Sequence, residues 1–270
     1  MLTLALTVGI LAAENFYGDI AQQIGGQHVA VTSVLNNPDQ DPHLFEVSPS
    51  VARAVAGAQI VIYNGIDYDP WVDKLLGAAR NASRITIVVG DLAGKKPGDN
   101  PHVWYDPQTM LALAKHLAAD LAQADPVHRA EYARRLRIFA QSLQPIENRI
   151  AFLRKKFAGS PVTATEPVFG YMLDALGLQI RNPRFQTAVM NDTEPGALEV
   201  ARFESDLKTH QVRMLVFNSQ ASDPVAQRMR DLAASSGIPV VGATETEPKG
   251  KSYQTWISSE LDAVQEALSK

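Results

Sequence analysis

The chain has 270 residues, 46% hydrophobic and 20% charged, with a formal net charge of −4. This is ordinary globular composition, enough to fill one large or two modest cores, and the mild negative charge argues against nucleic acid or an anionic membrane surface as a partner. There is no cysteine, which excludes thiolate metal sites, disulfides and cysteine nucleophiles, and no run of about 18 apolar residues marks a membrane-crossing helix.

Thr3 to Ala13 is a continuous apolar run and reads as a buried strand. The apolar start is too short for a signal peptide, so we expect the first strand of a mature protein whose signal peptide has been removed. Glu14 to Asp19 reads as a turn, with a helix from Ile20 to Ile24 ended by Gly25-Gly26. A second strand, His28 to Leu35, leads into the loop Asn36-Asn37-Pro38-Asp39-Gln40-Asp41-Pro42-His43. Ser48 caps a helix through Ala56. A third strand over Gln59 to Tyr63, a helix over Trp71 to Ala79 and a fourth strand over Arg84 to Val89 follow. The polar loop from Gly90 ends in Asp99-Asn100-Pro101-His102, and Asp106-Pro107 opens a helix to about Gln123.

Asp125-Pro126 repeats that cap, and the pattern stays helical from Val127 to Phe157, roughly 45 Å at 1.5 Å per residue. Pro145 lies inside and should kink it or break it in two. After Gly159 strands and helices alternate again. Strands are expected over Pro161–Thr165, Leu178–Ile180, Val212–Phe217 and Pro239–Ala243, with helices over Val168–Leu176, Ala197–Thr209, Pro224–Ser235 and Tyr253–Leu268. Such alternation predicts parallel sheets. The expected organisation is an N-terminal β/α lobe over 1–124, a spine helix over 125–158 and a C-terminal β/α lobe over 159–270.

Two loops share one grammar: an acid or amide, then proline, then histidine, each after an apolar strand. Proline fixes its own φ and pushes the preceding residue toward an extended shape, so each imidazole is presented on stiff backbone. Ligands of open α/β sheets bind beyond the carboxyl ends of strands. His43 and His102 are therefore candidate metal ligands aimed at one point. Their natural partners are acids at strand ends in the second half: Glu166, stiffened by Pro167, and Glu247, followed by Pro248, with Glu245 a rival two residues earlier. Glu14 and Glu194 are weaker candidates. His28, His116, His128 and His210 lie on polar faces or at element ends and are given no role. Trp71, Trp104 and Trp256 read as packing residues.

Two imidazoles and two carboxylates make a mixed nitrogen/oxygen site. Imidazole suits Zn, Cu, Fe and Ni, while carboxylates suit harder ions such as Mn. A metal-dependent hydrolase using the same ligands is the alternative reading, but no further acid/base residue, Ser-His pair or glycine-rich phosphate loop accompanies them.

The segments Asp41-Pro42-His43, Ala58-Gln59-Ile60-Val61-Ile62-Tyr63-Asn64-Gly65, Asn100-Pro101-His102-Val103-Trp104, Asp106-Pro107 and Phe169-Gly170-Tyr171 resemble the metal-binding solute receptors of zinc, manganese and iron ABC importers. The resemblance spans nearly the whole chain. It implies two Rossmann-like β/α lobes with parallel sheets joined by one long rigid helix, and no enzymatic activity. It places the four ligands on His43, His102, Glu166 and Glu247. It further implies a monomeric receptor in the periplasm, or lipid-anchored outside the cytoplasmic membrane, that hands its ion to a membrane permease and takes no nucleic acid and no ligand but the metal. The donor set favours Mn²⁺, with Zn²⁺ close behind, since by the Irving–Williams order Zn²⁺ binds at least as tightly in most such sites, and Fe²⁺ third.

Overall fold

The structure is a computed structural model that describes residues 7–37 and 45–270. These form two compact units. One takes in the described residues up to 37, 45–144 and 249–253; the other takes in 145–248 and 254–270.

The first unit is built on β1 (Val8–Glu14), β2 (Val29–Leu35), β3 (Ile60–Tyr63) and β4 (Ile85–Val88), with α1 (Asn15–Gly25), α2 (Pro49–Gly57), α3 (Pro70–Ala78), the single turn α4 (Val89–Leu92) and α5 (Pro107–Ala124). The strands pair in parallel in the order β2-β1-β3-β4. All four residues of β3 are buried, which is why Ile60-Val61-Ile62-Tyr63 is apolar without alternation. From β1 the chain steps to β2 on one side and later to β3 on the other, so the crevice of this sheet opens beyond Glu14 and Tyr63.

The long helix α6 (Arg129–Phe157) runs unbroken for 29 residues with Pro145 inside it. Its residues up to Gln144 count with the first unit and those from Pro145 with the second.

The second unit repeats the design with β5 (Pro161–Ala164), α7 (Gly170–Ala175), β6 (Gln179–Ile180), α8 (Pro183–Met190), α9 (Ala197–Lys208), β7 (Leu215–Asn218), α10 (Pro224–Ser235), β8 (Val240–Ala243) and α11 (Tyr253–Ser269). The order is β6-β5-β7-β8, again all parallel. Its reversal lies between β5 and β7. Phe185, Phe203, Leu207, Leu215 and Met229 form part of its core.

Local capping follows the sequence at two helices. Ser48 accepts from the Val51 amide at 3.3 Å; Asp106 accepts from the Gln108 amide at 3.0 Å and the Thr109 hydroxyl at 2.9 Å. Three places differ. The expected turn over Glu14 to Asp19 is already helix α1. Gly18 is there for closeness: a Cβ at this position would sit 2.0 Å from Ser33 Oγ on β2, so glycine permits the packing of helix on strand. Residues 183–190 carry a helix where none was expected. Asn182 takes a left-handed conformation (φ 58°), Pro183 opens the helix, and Phe185 and Val189 bury one face.

The third difference is Asp125, whose side chain makes no cap hydrogen bond. It accepts instead from the Tyr132 hydroxyl at 2.7 Å and lies 2.6 Å from His128 Nδ1. Burial alone would raise this carboxyl; the bonds from Tyr132 and His128 bring it below the usual range. Glu131 is lowered likewise, by hydrogen bonds to His28 and Arg135.

Candidate functional site

In the first unit the Pro101-His102 loop is held from beneath by a buried polar network. Asn64, directly after β3, donates to the carbonyls of Pro101 at 3.0 Å and Gly65 at 3.1 Å, and accepts from the Tyr17 hydroxyl at 2.6 Å. The Asn64 and Gly65 amides in turn donate to the Asp69 carboxylate at 2.7 and 2.8 Å. The loop continues into a 3-10 turn, Val103–Tyr105. Trp104 is fully buried there against Phe16, Tyr68 and the His102 ring itself. Tyr253 closes the turn by donating to the Trp104 carbonyl at 2.9 Å.

His102 itself is fully buried. Its backbone amide donates to Asn100 Oδ1 at 3.1 Å, and its Nδ1 lies 2.6 Å from the same oxygen. The side-chain oxygen of an amide can only accept, so Nδ1 donates to it, and in the neutral ring Nε2 is then the nitrogen with the free lone pair. This is how a neighbour sets the tautomer of a metal-binding histidine. Asn100 was part of the motif read from the sequence, but its role was not.

Beside this network, Glu14 at the end of β1 is wholly buried next to Asp69. Burial raises Glu14 well above the ordinary range and the Asp69 charge raises it further. Burial raises Asp69 as well, against the pull of the Asn64 and Gly65 amides. Burial of the pair thus favours the protonated form of Glu14.

In the second unit Glu166 follows β5 and is buried. Asn218, the last residue of β7, donates its side-chain amide to Glu245 Oε1 at 2.6 Å and reaches Glu166 Oε1 and Oε2 at 3.4 and 3.3 Å. Two buried carboxylates thus meet on one amide. Gln220 fixes the segment after β8: its Oε1 accepts from the Glu245 and Thr246 amides at 2.5 and 3.1 Å, and its Nε2 donates to Thr246 Oγ1 at 2.9 Å. Glu247 is buried two residues further on. Gathered carboxylates in low dielectric favour a cation or a proton among them, and oxygen donors of this kind suit a divalent metal.

His43 lies outside the described residues. Of the other sequence candidates, Glu166 is joined to Glu245 through Asn218, and His102 is oriented by Asn100. Asn218 and Gln220 were missed; the signal available was polar residues at the end of a fully buried strand and just past it.

Two parallel β/α units, each with carboxylates or an oriented imidazole beyond its strand ends, define the class of two-lobed α/β binding proteins. The chain matches the family "Zinc-uptake complex component A periplasmic" over residues 10–267, and it belongs to that family. The manganese ABC transporter substrate-binding lipoprotein PsaA of Streptococcus anginosus is 23% identical over 286 residues, covering 97% of this chain and 89% of the relative. The iron ABC transporter substrate-binding lipoprotein MtsA of Streptococcus pyogenes serotype M1 is 23% identical over 283 residues, with the same coverage. Among solved structures, the periplasmic zinc binding protein TroA from Treponema pallidum superposes with a TM-score of 0.79 at 17% identity, covering 97% of this chain and 99% of that one. At that identity the likeness is one of fold. The family is one of transport-complex binding components and not of enzymes, so the hydrolase alternative finds no support in it.

Proposed function

We propose that this protein is the extracytoplasmic receptor of an ABC importer, binding one divalent transition metal and delivering it to the membrane permease. The observation that carries this reading is the meeting of buried Glu166 and Glu245 on the Asn218 amide, a donor set suited to a cation. The His102 imidazole, with its tautomer fixed by Asn100, supports it from the first unit. We assign His43, His102 and Glu166 as ligands, with the fourth from the pair Glu245 and Glu247; the shared amide supports Glu245 for that place. Among the described residues no helix is long and apolar enough to cross a membrane.

The metal is assigned in the order Mn²⁺, Zn²⁺, Fe²⁺. Two imidazoles with two carboxylates favour manganese by donor type, while the Irving–Williams order gives zinc the tighter complex in most such sites. The relatives carry names of both manganese and iron transport, in keeping with a site whose donors do not select strongly.

Calorimetric titration of the metal-free protein with Mn²⁺ and Zn²⁺ tests the reading. His102→Ala and Glu166→Gln should each weaken binding by at least about 100-fold, since a carboxylate–metal or imidazole–metal bond is lost outright. Glu245→Gln should cost more than Glu247→Gln. Mn²⁺ affinity that survives both His102→Ala and Glu166→Gln, with no equivalent of metal lost, would sink the assignment.

A further inference from the structure

A second group of ligand-type side chains lies in the first unit, apart from everything used above. His28 ends the short 3-10 turn Gly26–His28 before β2, and only 7% of it is exposed. Its ring stacks on that of His128, with centroids 3.7 Å apart and planes inclined by 20°. His28 Nε2 lies 2.9 Å from Glu131 Oε2, and His128 Nδ1 lies 2.6 Å from Asp125 Oδ2. One ligand atom from each of His28, Asp125 and His128 falls within 4.8 Å of the other two. Asp125, His128 and Glu131 come from one stretch of seven residues leading into α6, and His28 comes from another part of the unit.

We propose that His28, Asp125 and His128, with Glu131 adjoining, form a second transition-metal site, of a class suited to Zn²⁺. The chemistry follows from the donors. Each imidazole nitrogen facing a carboxylate is also one that can ligate, so a divalent ion takes the place of the hydrogens now shared between rings and acids. Two imidazoles with carboxylates select a borderline first-row ion over Mg²⁺ or Ca²⁺. At zinc–ligand distances of about 2.0–2.1 Å, tetrahedral donors sit roughly 3.3 Å apart, so donors already within 4.8 Å need only side-chain rotation to close.

The surroundings are those of a supported site. The carboxylates are themselves oriented: the Tyr132 hydroxyl donates to Asp125 at 2.7 Å and Arg135 Nε to Glu131 at 3.1 Å. Such outer contacts fix ligand direction. Tyr132 is buried and meets the His28 ring edge-on. A bound ion here would tie the entry of β2 to the first turn of α6, stabilising the native state by mass action.

The test uses the untagged full chain, freed of metal and titrated with Zn²⁺, with stoichiometry read by native mass spectrometry and affinity by calorimetry. The expected result is two equivalents for the unaltered protein and one for His128→Gln; His28→Gln should match it. The variant carrying both His102→Ala and Glu166→Gln should keep one equivalent and lose it when His128→Gln is added. Thermal midpoint provides a second reading: Zn²⁺ should raise it in the His102→Ala, Glu166→Gln background and not once His128 is also changed. His128 is 29% exposed, so its replacement keeps the test alive should His28→Gln fail to fold. A stoichiometry unchanged by His128→Gln overturns the proposal and shows a histidine–carboxylate cluster only. A failure of the transport-site assignment looks different: His102→Ala with Glu166→Gln would then leave the equivalents untouched while His128→Gln still removed one.

Discussion

The two sheets reverse direction in the same way, and the residues at the two reversals are a matched set put to different uses. In the first unit a glutamate ends the central strand (Glu14), an asparagine follows the next strand across (Asn64), and a second acid stands close by (Asp69). In the second unit the comparable group is Glu166, two residues past the central strand β5, Asn218 at the end of the neighbouring β7, and Glu245 just past the edge strand β8. The first set is closed on itself. Asn64 spends its donors on two backbone carbonyls, Asp69 spends its oxygens on two backbone amides, and burial pushes Glu14 toward its neutral form. The second set turns an asparagine amide toward two carboxylates. Two acids and an asparagine thus build a scaffold for the His102 loop in one unit and a donor cluster in the other. What differs is where the asparagine points, and this is decided by which hydrogen-bond partners the following loop supplies.

The contrast breaks most readily at the two asparagines. Asn64→Ala orphans the Tyr17 hydroxyl and the Pro101 carbonyl, both in buried surroundings. At about 1–3 kcal/mol for each buried group left unsatisfied, the expected loss is about 3 kcal/mol, read as a lower urea midpoint without bound metal. Asn218→Ala should act mainly on the ligand. It removes the group that holds Glu166 and Glu245 together, and loss of such an outer partner costs roughly 10–100-fold in metal affinity. Metal-free stability should fall less than for Asn64→Ala. The comparison fails if the two variants exchange these effects.

Much of this was legible beforehand because it is carried by short-range rules. The strands of the two parallel sheets, the caps at Ser48 and Asp106 and the helical pattern leading to Phe157 are each set by local sequence, and the structure follows them. The start of α1 was misread because Gly18 looks like a turn residue; its reason lies in Ser33, distant in sequence and close in space. Asp125 had every local mark of a cap, but His128 and Tyr132 compete for its oxygens more effectively than the helix amides do. Asn218 and Gln220 were invisible for a related reason: their partners, Glu166, Glu245 and Thr246, are 25 or more residues away in sequence. Acids near strand ends can be listed from the sequence, but which of them meet is a property of the sheet order.

The buried carboxyl pair provides the subtlest test of the contrast, through the direction of a pH effect. Glu14 is raised above its unfolded value, first by burial and then by Asp69. The folded protein therefore holds a proton that the unfolded chain releases above about pH 4.3. Stability falls with rising pH wherever the native state binds more protons, so Glu14 is harmless near pH 4 and increasingly costly as pH climbs through the window above it. Asp69, raised to about 6 by burial, adds a cost of the same sign between roughly pH 4 and 6. Glu14→Gln keeps a neutral side chain of the same shape beside Asp69 and removes the Glu14 part of that slope. Its stability relative to the unaltered protein should improve steadily from pH 5 to pH 8, measured as the difference in urea midpoints. A gap that stays constant across this range, or narrows, would mean that Glu14 ionises in place, and that the first unit too presents an open carboxylate pair.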